Sequence, residues 1–252
     1  MIDIHCHLCY PQGYENPEEI VKKAKEKGMK GIIASSARFD ESLRVLEFAK
    51  KHPDFVFPTI GYHPIEGTEL EKTIQLIKNQ RKNIVGVGEV GLDYHWEKDL
   101  KKREKQKEVF KKFISLAKEL GLPLVIHSWD AEKDCFEMVK DSEVNCVFHC
   151  FSGSLDLAKE IISSGFWISI STQICFSKHH KKLAKLVPLE NILLETDSPW
   201  LSPNRGEKNY PWNIRCSAEK ISKIKGIPAE EILELTWENA RRVFGLGVTK
   251  KT

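Results

Sequence analysis

Short, almost wholly apolar runs alternate with amphipathic or charged stretches along the entire chain. Eight of these runs read as strands: residues 2–8, 31–37, 55–63, 84–93, 123–128, 145–153, 166–172 and 192–198. Such continuous apolar character belongs to strands covered on both faces, the pattern of a parallel sheet wrapped in helices. The stretches between them carry helix signals. Asn16-Pro17-Glu18-Glu19 combines an N-cap residue, a proline at the first helical position and a capping-box glutamate, with Gly28 as the stop. Phe110, Phe113, Ile114, Ala117 and Leu120 recur at helical spacing ahead of Gly121, and Leu233, Trp237, Ala240 and Phe244 repeat the pattern. Eight strand-then-helix units predict an α/β fold of the (β/α)8 TIM-barrel type. The alternative, a doubly wound open sheet, usually has fewer strands and a glycine-rich phosphate loop; neither a GxGxxG nor a Walker A sequence occurs. No linker or break in composition divides the chain, so one barrel domain over residues 1–252 is expected.

Composition narrows the picture modestly. A hydrophobic content of 41% suffices for a large core, and a net charge of +3 neither demands nor excludes a nucleic-acid partner. Seven cysteines, odd in number and irregular in spacing, are those of a cytoplasmic protein with reduced thiols. A strand beginning at residue 2 is incompatible with a signal peptide, and no apolar run approaches the ~18 residues of a membrane span.

In TIM barrels the chemistry sits at the C-terminal ends of the strands. His5 and His7 are two apart on one strand, so both imidazoles face the same side. His63 ends strand three, Glu89 and Asp93 close strand four, His127 and His149 end strands five and six, and Glu195 and Asp197 end strand eight. Five of the nine histidines therefore fall at strand ends, a clustering that favours a metal site over scattered core histidines. Glu89 lies in VGVGEVG, where an unpaired carboxylate would be costly to bury. Glu195, two positions before Asp197, is placed to orient a ligand histidine. His63 is expected to meet the substrate.

Taken together, DIHCHL (3–8), GYHP (61–64), GEVGLDYH (88–95), PLVIHS (123–128), FHCFSGS (148–154), ETDSPWL (195–201) and NARRVFGL (239–246) resemble the TatD family of metal-dependent hydrolases, within the amidohydrolase-like barrels. The resemblance spans the chain. It implies two divalent ions, Mg²⁺ foremost, with Mn²⁺, Zn²⁺, Co²⁺ or Ni²⁺ as alternatives. His5, His7 and Asp197 would hold one ion and His127 and His149 the other, with Glu89 bridging. Many amidohydrolase-type barrels bridge with a carbamylated lysine from strand four; that strand has no lysine here, which leaves the bridge to Glu89. The resemblance also implies phosphodiester hydrolysis of DNA, commonly as a 3′→5′ exonuclease on single strands or 3′ ends. Asp197, able to take a proton from the attacking water, and Glu89 are then the catalytic candidates.

The sequence departs from the family pattern in places. Relatives often carry an arginine two residues after the strand-five histidine, where this chain has Trp129. Phosphate contact would then fall to Arg205, or a base would stack on Trp129 or Trp200. Cys9 stands where relatives are often polar or acidic. Hydrolysis of an ester or amide on the same metals, of an aminoacyl-tRNA or a small molecule, is the alternative activity. No obligate protein partner is indicated.

The remaining features have structural readings beside functional ones. Cys6 and Cys9 form a CxxC, with Cys6 facing away from the metal side, and Cys146 and Cys150 read as buried thiols. Residues 101–112 read as the solvated face of a long helix. KHHKK (178–182) follows strand seven on the catalytic face, and Tyr210 and Trp212 lie in the loop after strand eight. These last groups would either contact nucleic acid or pack their own loop.

Overall fold

Each of the eight apolar runs forms a strand, and each strand pairs in parallel with the next in sequence, giving the order β1 to β8. The computed structural model describes residues 1–247. The strands are β1 (Ile2–Cys6), β2 (Gly31–Ser36), β3 (Val56–Tyr62), β4 (Gly86–Gly91), β5 (Leu124–His127), β6 (Cys146–Phe148), β7 (Trp167–Ile170) and β8 (Ile192–Leu194). Between and after them run α1 (Pro17–Glu26), α2 (Phe39–Lys51), α3 (Leu70–Asn79), α4 (Leu100–Leu120), α5 (Glu132–Val139), α6 (Leu155–Ser163), α7 (Lys178–Leu186), α8 (Ile214–Lys225) and α9 (Ala229–Phe244). This is the (β/α)8 barrel expected from the alternation.

The helix signals operate as physical chemistry requires. The Asn16 side chain accepts from the Glu18 backbone N–H at 3.2 Å, and Pro17 occupies the first turn, where its missing donor costs nothing. The lysine-rich run 101–112 lies on α4, which buries Phe110, Phe113, Ile114 and Ala117 and leaves most of its lysines in solvent.

Every strand is shorter than its apolar run. The run 145–153 contributes only Cys146–Phe148 to the sheet, and 192–198 only Ile192–Leu194. The residues beyond leave the ladder, Cys150 with φ +46° and Asp197 with φ +54°. Their neighbours stay buried among loops, so apolar character outlasts strand pairing.

The seam between β1 and β8 is closed sparingly. His7 N–H donates to the Ser198 carbonyl at 2.8 Å and Asp197 N–H to the His5 carbonyl at 3.0 Å, around an isolated bridge between Cys6 and Ser198. Buried Asp3 adds bonds across the same seam to Thr196. On the far side, Gly91 (φ +150°) allows β4 to lie against β5, because a Cβ there would collide with the His127 carbonyl oxygen.

Part of the barrel filling is apolar. One cluster joins Ile2, Ile4, Ile33, Val125, Val147 and Leu193, from strands far apart in the sheet, to Val243 and Phe244 of α9. Strands so separated meet only across a barrel interior. Among the described residues no helix is long and apolar enough to cross a membrane.

Candidate metal centre

Glu89 reaches inward from β4, and its two carboxylate oxygens face different pairs of histidines. Oε1 lies 2.7 Å from His127 Nδ1 and 3.1 Å from His149 Nε2. Oε2 lies 3.4 Å from His5 Nε2 and 3.3 Å from His7 Nε2. Asp197 Oδ1 stands 3.9 Å and 3.7 Å from the same two atoms of His5 and His7. The six residues named from the sequence thus converge on one place, though they come from five strand ends.

Of the four imidazoles around Glu89, three turn one nitrogen inward and offer the other to a partner behind it. His5 Nδ1 meets the Ser35 hydroxyl at 3.2 Å, His7 Nδ1 meets Glu41 Oε1 at 3.4 Å, and His127 Nε2 meets Asp93 Oδ2 at 2.9 Å. Such outer partners set the tautomer and leave the inner nitrogen free to ligate. His149 Nδ1 is 3.7 Å from Glu195 Oε1, beyond hydrogen-bond length, and it and Glu195 Oε2 are buried without a partner. Glu195 thus lies behind His149 without a hydrogen bond to it. Ser35, Glu41 and the partnership of Asp93 with His127 were not legible in the sequence.

The chemistry of this donor set suits divalent cations. Three groups of three donors (His5, His7 and Glu89; Glu89, His127 and His149; His5, His149 and Asp197) each hold their ligand atoms within 4.8 Å of one another. Imidazole and carboxylate are the ligands of borderline and hard divalent ions, and buried charge of this density is otherwise hard to accommodate. A fourth group, His63, Asp93 and His127, is equally compact. His63 is unsuited to ligation, however. Its Nδ1 accepts from the backbone N–H groups of Ile65 and Glu66 at 3.2 and 3.3 Å, so its proton belongs on Nε2. That N–H points inward, with Nε2 3.6 Å from Glu89 Oε1.

Burial lowers His5 to about 4 and His63 to about 3, each also repelled by a neighbouring imidazole. Burial acts to raise Glu89, but His149, His63 and His127 around it hold the carboxyl well below its ordinary value. Asp197, with fewer compensating partners, is pushed by burial up to about 6.

Above the cluster opens a cavity of about 960 Å³. His63, Trp129 and Trp200 line it, with Trp200 standing edge-on to His7 at 5.1 Å. Arg205 does not: it is exposed in the loop after β8, outside the cavity wall. Among the described lining residues Arg38, at the β2–α2 junction, is the one guanidinium or ammonium. A lone arginine between a strand and a helix carries no sequence signal. Trp96 also lines the wall and was equally unmarked.

The secondary features resolve mostly as packing. Tyr210 stacks on Trp212 at 4.8 Å, away from the cavity, and His179 and His180 of the KHHKK run bond to the Gly153 carbonyl and the Ser177 hydroxyl. Cys6 contacts the Ser198 hydroxyl and Cys146 is buried, but Cys150 is only half-buried and lines the cavity.

A model of the family described as TatD related DNase matches residues 2–245. The chain belongs to the TatD family of metal-dependent hydrolases. A relative from Methanocaldococcus jannaschii, described as an uncharacterized metal-dependent hydrolase, is 41% identical over 247 residues, 96% of each chain. The human deoxyribonuclease TATDN3 is 33% identical, over 97% of this chain and 94% of its own. The crystal structure of YjjV, a TatD homolog from Escherichia coli K12, matches with a TM-score of 0.88 at 27% identity, covering 97% of this chain and 98% of that one. Membership of the TatD family agrees with the barrel and enzyme class expected from the motifs.

Proposed function

We propose that this TatD chain is a deoxyribonuclease that holds two divalent cations and removes nucleotides from the 3′ ends of single-stranded DNA. The observation that carries the reading is Glu89, whose two oxygens each face a separate histidine pair. A carboxylate shared by two cations would need that arrangement. His5, His7 and Asp197 would hold one ion, His127 and His149 the other, and Glu89 both. When bound, two such ions supply a water of lowered pKa and offset charge developing on phosphorus.

The chain's own residues do the rest. Asp197, at 19% side-chain exposure the more open of the two inner carboxylates, accepts the proton of the attacking water. The water oxygen bonds to phosphorus as the P–O3′ bond breaks, and the proton taken by Asp197 passes to the leaving 3′ oxygen. His63 donates its Nε2–H to a phosphate oxygen, the neutral tautomer being fixed by its backbone contacts. Arg38 supplies the fixed positive charge that Trp129 does not.

A second reading, hydrolysis of an ester or amide such as an aminoacyl-tRNA linkage, draws on one observation. The wall carries Glu66, Glu89, Asp93, Glu132 and Asp197 against a single arginine, a balance that favours a less anionic substrate. Metal analysis combined with assays on labelled single-stranded DNA, aminoacyl-tRNA and small esters separates the two. The expected result is stepwise shortening from the 3′ end, abolished by chelation. No DNA cleavage with Mg²⁺, Mn²⁺ or Co²⁺ would overturn the nuclease reading.

A further inference from the structure

One side of the cavity carries more exposed aromatic surface than packing explains. Trp96 is 66% exposed and Trp129 44%, and both line the wall. The Trp129 indole lies flat on His95, with ring centroids 3.9 Å apart and planes 6° from parallel. Trp96 stands perpendicular to Trp129, at 87° and 6.2 Å. The three rings form a floor and an upright wall. His95 is itself held by Asp130 at 3.1 Å, and the loops are tied together by Tyr94 N–H donating to the Trp129 carbonyl at 2.9 Å.

This corner is anchored to the reacting centre. Asp93 Oδ1 accepts from Trp96 N–H at 2.7 Å, while its Oδ2 meets His127 Nε2 at 2.9 Å. The carboxylate that orients a candidate metal ligand therefore also fixes the aromatic wall. Trp200, on another part of the rim, is already engaged edge-on with His7 and Tyr10. Trp200 is about as exposed as Trp129, at 42%, but Trp96 and Trp129 are the two indoles that adjoin one another.

We propose that Trp96, Trp129 and His95 form a stacking platform for one unpaired nucleobase beside the phosphodiester being cut, and that this platform selects single strands. The proposal rests on the phosphodiester reading above. A flat ring laid on Trp129 meets Trp96 at its edge, and every nucleobase offers a π face, so the platform is tolerant of sequence. A cavity of about 960 Å³ suits a ligand of small-molecule size rather than a duplex, so the base must enter unpaired.

The test compares a single-stranded oligonucleotide with the same strand made abasic at its 3′-terminal positions, using the metal-loaded full chain. Wild type should favour the base-bearing strand in kcat/KM by about 5- to 100-fold, the range one base–indole stack contributes. Trp129→Ala should collapse that ratio toward one, Trp96→Ala should reduce it, and Trp129→Phe should retain most of it. An unchanged ratio in Trp129→Ala overturns the platform. If wild type cleaves no oligonucleotide, the nuclease reading fails instead. Fluorescence anisotropy of the same labelled strands then decides the platform: base-dependent binding lost in Trp129→Ala sustains it, and equal binding of both strands overturns it.

Discussion

Asp3 and Thr196 bond across the seam of the barrel although they lie 193 positions apart in sequence. Asp3 Oδ1 accepts from Thr196 N–H at 2.9 Å and from His5 N–H at 3.2 Å, and Oδ2 meets the Thr196 hydroxyl. Burial pushes the Asp3 carboxyl well above its ordinary value. Asp3→Ala would strand these buried groups without partners and should destabilise the protein by about 3 kcal/mol. Asp3→Asn keeps an acceptor and a donor in the same shape and should cost about 1 kcal/mol or less. Urea unfolding decides: an alanine variant as stable as the asparagine one would mean the seam is held elsewhere.

Glu89 should be indispensable for a different reason. Glu89→Ala removes both oxygens at once, so metal content should fall from about two ions per chain to about one, with turnover lost. Plasma emission spectrometry on the dialysed variant reads the ions directly. Two retained ions with activity would sink the bridging assignment.

Asp93 meets the outer nitrogen of His127 at 2.9 Å, so on the two-cation reading it would act through that histidine. Asp93→Ala should weaken metal affinity by about 10- to 100-fold, the usual effect of losing a carboxylate behind a ligand histidine. Activity should return as metal is raised, which a lost ligand would not permit. Metal titration of turnover distinguishes these outcomes, and a variant that saturating metal fails to rescue would remove Asp93 from this role.

The eight strands were legible because burial on both faces makes each an apolar run, and the six convergent residues because histidine and carboxylate recur where those runs end. Strand ends were not legible, since Phe151 stays buried although the ladder ends at Phe148. Glu41 was invisible for a subtler reason. An acidic residue in the first turn of a helix reads as a favourable charge at its N-terminus. Only the packing of α2 places that carboxylate behind His7. Arg38 and Arg205 show the same limit: both are arginines near a barrel mouth, and only the fold tells which one lines the cavity.

That difference is measurable. Arg38→Ala should raise KM for an oligonucleotide with kcat little changed, because a guanidinium on the wall binds ground and transition states alike. Arg38→Lys should restore part of the affinity, as a point charge without the planar fork. Arg205→Ala is the comparison, its side chain being exposed outside the cavity. A larger KM effect at Arg205 than at Arg38 would show that substrate approaches over the β8 loop.

His180 gives the fold an acid sensitivity separate from the metal centre. It is 4% exposed, with Nδ1 2.9 Å from the Ser177 hydroxyl and Nε2 3.4 Å from that of Ser152. Burial foremost, and then the neighbouring His179, lower it to about 4 against the opposing pull of Glu195. The folded value thus lies below the unfolded value of about 6.5. Between those two pH values the unfolded chain binds a proton that the folded chain refuses, so stability is full above pH 6.5 and falls as pH drops toward 4. The loss amounts to at most about 3 kcal/mol. His180→Gln cannot titrate, so the stability gap between wild type and variant should narrow by up to that amount from pH 7 to pH 4. The candidate metal-ligand histidines titrate in both proteins and cancel. Urea unfolding at the two pH values reads the gap, and a constant difference would mean His180 is protonated as readily in the folded chain as in the unfolded one.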